Sequence, residues 1–77
     1  MKNAAAANKY VFVIRKIREK FGYINYANEQ CVKMCRMAEK ILIEEGITNK
    51  ANEGRFLFMS AHIAYDSDLI RFAYNHF

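Results

Sequence analysis

The stretch RFLFMSAHIAYDSDLIRFAYNHF, residues 55–77, is the most apolar and aromatic part of the chain and holds neither Gly nor Pro. Wound at ~100° per residue, it places Phe56, Met59, Ile63, Ile70, Tyr74 and Phe77 on one helical face. Phe58, Ala61, Tyr65, Leu69 and Phe72 fall on roughly the opposite face. A surface helix needs a single apolar stripe. Two stripes predict a helix held between its own domain and a partner, or a break that folds the last residues back over the rest. Asp66, Ser67 and Asp68 are all good capping residues, so a separate last helix beginning at Asp66 or Ser67 is the form such a break would take. A strand over residues 55–60 finds neither a hairpin turn nor a second strand to pair with.

Upstream, Glu45-Gly46-Ile47 has the form of a Schellman stop, with Gly46 as the left-handed residue and Ile47 folding back toward Leu42. The helix it ends is capped by Asn25 or Asn28, with Glu29 favoured in the first turn by the helix dipole. Cys31, Met34, Cys35, Ala38, Ile41 and Leu42 share one face of it, and Lys33, Arg36, Lys40 and Glu44 the other. After the turn, Thr48 or Asn49 caps a third helix. Gly54 weakens its first turns by up to ~1 kcal/mol relative to Ala.

The first helix is the plainest. Asn3 caps it, four alanines follow, and Tyr10, Val13, Ile14, Ile17 and Phe21 form a stripe that Ala6 and Ala7 extend backward. The spacing predicts a helix from about residue 4 to 21, stopped by Gly22, with Lys9, Phe12, Arg15, Lys16 and Glu19 outside. The sum is an all-α fold: one domain over residues 1–77, built as a small antiparallel bundle of three or four helices with short loops.

Composition narrows the classes further. A hydrophobic content of 53% rules out a disordered chain. It also exceeds what a small monomer easily hides, since a domain this short buries a modest share of its chain surface. No apolar run approaches the ~18 residues of a membrane span. The start, MKNAAAANKYVFVIRK, has charges on both sides of a very short apolar patch and does not read as a signal peptide. A soluble cytoplasmic protein is the expectation. The net charge of +4 is uneven. Residues 1–22 carry Lys2, Lys9, Arg15, Lys16, Arg18 and Lys20 against Glu19 alone, residues 23–50 cancel, and residues 51–77 are slightly acidic.

The chemical constellations are sparse. Cys31 and Cys35 stand one turn apart within an apolar stripe, where Cys packs as a small hydrophobe. Zinc would need two more ligands, and no spacing ties His62 or His76 to the thiols. His62 and Asp66 have the spacing of an oriented imidazole, with no Ser or Cys nucleophile evidently placed beside them. Asp66-Ser67-Asp68 lacks the ligand count and glycine of a calcium loop. A helix-turn-helix about Gly46-Ile47 would put Leu42 and Asn52 at its signature positions, and a recognition helix rich in Phe, Leu and Met in the groove. A membrane-surface role for the first helix competes with the bundle for the same apolar stripe.

No catalytic residue, cofactor site or metal site is therefore expected. The expectation is a non-enzymatic binding protein that docks on another macromolecule as a regulator, inhibitor or assembly subunit. Its interface, with a protein partner or in a homodimer, is expected at Phe58, Tyr65, Leu69 and Phe72, which two other helices leave uncovered. The alternative is nucleic-acid binding through the basic first helix, using Lys9, Phe12, Arg15, Lys16, Arg18 and Lys20.

Overall fold

A computed structural model of the chain describes residues 3–77, apart from the side chain of Phe56. The expectations for Phe56 and for Lys2 thus lie outside the described residues. Four α-helices follow one another: α1 (Ala4–Phe21), α2 (Glu29–Glu44), α3 (Arg55–Ala61) and α4 (Asp66–His76), with a 3-10 turn at Lys50–Asn52. Among the described residues there is no strand. The fold is a small all-α bundle.

The helix ends follow from capping chemistry. Asn3 Oδ1 accepts from the Ala6 N–H at 3.0 Å, and Asn28 Oδ1 accepts from the Cys31 N–H at 3.1 Å, each satisfying a donor that has no partner within its helix. At the end of α2 the Ile47 N–H reaches the Leu42 carbonyl at 2.9 Å and the Gly46 N–H reaches Ile43 at 3.0 Å. With Gly46 at φ 75°, this is the Schellman pattern.

α1 lies at the centre and packs chiefly against α4 and α2. Tyr74 donates to Asn8 near one end, and Arg15 holds Asp66 near the other, so α1 and α4 run antiparallel. Covered from two sides, α1 buries a wider stripe than its spacing alone suggests: Ala6, Ala7, Tyr10, Val11, Ile14 and Ile17. Ile24, from the connector after α1, is buried with them. The phenol of Tyr10 is paired with Ser60 at 2.9 Å inside the core, and its ring meets Phe77 and Phe72 at 5.1 and 5.8 Å.

The break within residues 55–77 comes after His62, and α4 starts at Asp66. It changes the fate of the two apolar stripes. Leu69 is 0% exposed, and Phe72 packs partly buried against the core, so the uncovered four-residue face does not form. The reason is geometric: once α4 folds back along α1, its inner side is the one bearing Leu69 and Ala73. Phe58 and Tyr65 stay outside, 57% and 72% exposed.

α2 also departs from expectation. Its buried residues are Cys31, Cys35, Glu39 and Leu42, and Ile41 is 46% exposed rather than in the core. A carboxylate occupies the inner position because the chain needs an acceptor there. Glu39 Oε1 accepts from the Gly54 N–H at 2.9 Å, where Gly54 at φ 89° turns the chain into α3. Glu39 Oε2 is buried without a hydrogen-bond partner among the described residues.

Candidate functional site

The basic residues of α1 divide into two groups. Arg15 and Arg18, one turn apart, face the elbow between α3 and α4. Arg15 makes a bidentate pair with Asp66, Nε to Oδ1 at 2.9 Å and Nη2 to Oδ2. The hydrogen bond from Arg15 holds the Asp66 carboxyl below its usual range and pushes the guanidinium up in turn. Arg18 donates to the carbonyl oxygens of Ser60, in the last turn of α3, and of Ile63, just beyond it. Both arginines are thus taken up by the fold. Lys9 lies 3.9 Å from Glu45, and Lys16 lies 3.7 Å from Glu19 and over the exposed ring of Phe12. Lys20 sits over Phe21. The six-residue basic surface expected on α1 is therefore not free as a unit, because a cation that caps a helix end or neutralises a carboxylate contributes little attraction outward.

The expected apolar interface keeps Phe58 and Tyr65, with Phe58 edge-on to the His62 ring at 4.7 Å. Asp66 is engaged by Arg15, and no hydrogen bond joins it to His62 among the described residues. Cys31 and Cys35 are free and fully buried, and burial, reinforced by Cys31, pushes the Cys35 thiol up to about 12. A thiol held there is protonated at neutral pH and a poor nucleophile.

A cavity of about 410 Å³ opens where the start of α1, the α2–α3 loop and the last turn of α4 meet. Tyr10, Phe72 and Phe77 line it, with Arg55 and His76 among its polar residues. The His76 ring is stacked on Phe72 at 5.2 Å and meets Phe77 edge-on at 4.8 Å.

The outer face of α2 is different in kind. Lys33, Arg36, Met37 and Lys40 project away from the buried Cys31, Cys35, Glu39 and Leu42. With Val32, Glu29 and the connector residue Tyr26 they line a shallow groove of about 470 Å³. Met37 is 59% exposed and Tyr26 about half exposed. The ion pairs among the described residues are Lys9–Glu45, Arg15–Asp66, Lys16–Glu19 and Arg71–Asp68, so Lys33, Arg36 and Lys40 have no carboxylate partner there. The sequence places these three cations on one face, with Val32 and Met37 to either side of them. Val32, Met37 and Tyr26 belong to neither the apolar stripe nor the charged side that the sequence marks. The position of Met37 one turn before the exposed Ile41 was the available signal.

Comparison with protein-family models, with curated proteins and with solved structures returned no match for this chain. Among the described residues no helix is long and apolar enough to cross a membrane.

Proposed function

We propose that the protein is a non-enzymatic docking module, a small helical bundle that works by binding another macromolecule through the outer face of α2. One observation carries this reading: a shallow groove on the outer face of α2 lined by Met37 and Tyr26 together with Lys33, Arg36 and Lys40, three cations without an ion-pair partner among the described residues. Cations that stabilise nothing within the bundle are available to a partner, and methionine adapts its shape to an apolar contact. In this role the chain acts as a regulator, an inhibitor or an assembly subunit. Two free buried thiols fit a reducing compartment, and a cytoplasmic setting goes with the reading.

A second copy of the chain is a poor occupant of this face. Twofold pairing would set three cations against three cations, and the apolar patch first expected to drive a homodimer has lost Leu69 and most of Phe72 to the core. Nucleic acid is the second reading. Lys20, Lys33, Arg36 and Lys40 are without carboxylate partners among the described residues, and phosphate attraction needs only clustered cations.

Affinity capture from the native cell tests the proposal, with nuclease treatment and a salt series. The docking reading expects a partner that survives nuclease and is lost with Met37→Asp. Retention of the same partner by a folded Met37→Asp variant would remove α2 as the working surface. Loss on nuclease treatment, with a steep salt dependence, would move the assignment to nucleic acid.

A further inference from the structure

We infer that the cavity between the start of α1, the α2–α3 loop and the last turn of α4 binds a small aromatic carboxylic acid as its anion. The inference does not rest on the docking reading, since this cavity shares no lining residue with the outer face of α2.

At about 410 Å³ the cavity falls within the ~300–1,000 Å³ range of small-molecule sites. Its lining combines two kinds of group. Tyr10, almost wholly buried, backs it, and the half-buried Phe72, Phe77 and Met59 supply apolar surface. Tyr10 meets Phe77 at 5.1 Å and Phe72 at 5.8 Å in tilted pairs, and His76 lies flat on Phe72, so the rings hold one another in place. A further ring entering the cavity finds aromatic faces and edges in the arrangements that ring quadrupoles prefer. A saturated body of the same size gains apolar area alone.

The polar groups supply donors. No hydrogen bond or ion pair engages the side chains of Asn49, Asn52 and Arg55 among the described residues, and all three line the cavity. No Asp or Glu side chain is among the described lining residues, and Arg55 is the one that is permanently charged. A cation with no carboxylate in its own site is answered by an anion from outside. Charge decides the class of that anion. A carboxylate carries one charge and presents two oxygens in the plane of the guanidinium fork, whereas a phosphate monoester carries ~1.5–2 charges on three acceptor oxygens. One guanidinium and two neutral amides balance the first and leave the second with excess charge beside aromatic rings. A planar acid against Phe72 and Phe77, with its carboxylate on Arg55, uses both kinds of group.

The test is a titration of the full chain followed by two-dimensional amide NMR. The probes are benzoate, phenylpropionate and naphthoate, their primary carboxamides, cyclohexylpropionate and phenyl phosphate. An aromatic acid should bind with a Kd of about 1 mM or tighter, as ordinary for a ligand of about a dozen non-hydrogen atoms. Its shifts should centre on the backbone amides of Ile47, Asn52 and Arg55. The matching carboxamide should bind about tenfold more weakly, the loss of one charge-assisted contact. Arg55→Gln should weaken the acid by a similar factor and leave the carboxamide unchanged, a difference that no folding defect reproduces. Cyclohexylpropionate should bind about threefold more weakly than phenylpropionate.

No binding by any of the three aromatic acids at about 10 mM would overturn the proposal, as would shifts confined to the outer face of α2 or to the Phe58–Tyr65 surface. Equal binding of acid and carboxamide, or undiminished binding of the acid by Arg55→Gln, would remove the anion site. Phenyl phosphate binding more tightly than benzoate would overturn the carboxylate assignment, and cyclohexylpropionate matching phenylpropionate would overturn the aromatic one.

Discussion

Arg18 donates to the carbonyl oxygen of Ile63, so a residue of the first helix fixes the elbow between the last two. The same guanidinium reaches the Ser60 carbonyl at 3.2 Å. A cation there sits at the end of α3, while Asp66 places a carboxylate in the first turn of α4, and the helix dipoles favour both charges. Arg15 joins the two arrangements to α1.

Arg18→Ala should therefore destabilise the bundle by ~1.5–3 kcal/mol, the range for hydrogen bonds to a charged group. Lys16→Ala, two residues away and on the exposed side of the helix, should change stability by no more than ~0.5 kcal/mol. Urea unfolding of both variants checks the contrast. Equal, small effects would mean that the Arg18 contacts do not hold the elbow.

Ile17→Ala truncates a fully buried side chain and should cost ~2–5 kcal/mol. Leu69→Asp makes a sharper distinction. Had Leu69 lain in a dimer interface, the variant would be a helical monomer. With Leu69 fully buried against the core, circular dichroism should show lost helicity instead, with sedimentation velocity reporting the unaltered chain as a monomer.

Alkaline pH should destabilise the protein. Burial raises the Cys35 thiol to about 12, and burial also raises the Tyr10 phenol. A folded-state pKa raised above the unfolded value, for a group that ionises to an anion, means that the unfolded chain loses its proton first. Stability is then intact below about pH 8.5 and falls between there and about 12, by at most ~1.4 kcal/mol per pH unit for each group. Cys35→Ala should flatten the first part of that fall. Asp66 acts in the opposite sense: its lowered carboxyl adds stability above about pH 4 that is lost as pH falls through its folded value.

Glu39→Gln keeps an oxygen for the Gly54 N–H and should be tolerated. Glu39→Leu leaves that N–H without its acceptor and should cost ~1–3 kcal/mol. Thermal unfolding of the two variants separates the acceptor's role from simple filling of space.

Local chemistry made much of the architecture legible in advance. Asn3, Gly22 and Gly46 mark helix ends through capping and left-handed backbone, which depend on neighbouring residues only. The rest depended on contacts between distant parts of the chain. Nothing near Arg18 in sequence indicates that its partners are Ser60 and Ile63, and nothing near Glu39 indicates that Gly54 will need an acceptor. The fate of Leu69 turned on whether residues 62–65 break the helix, which helical periodicity leaves undecided. For the candidate site, the three cations of α2 were visible as a face, and the groove along it was not, because Tyr26 joins it only through the course of the connector.

On the proposed reading, the protein meets its partner on α2 and not on the Phe58–Tyr65 surface. Site-specific photo-crosslinking in the native cell tests it most directly, with the photoreactive residue placed in turn at positions 37, 58 and 65. A discrete adduct is expected from position 37 and none from 58 or 65. An adduct from 58 or 65, with position 37 silent, would contradict it.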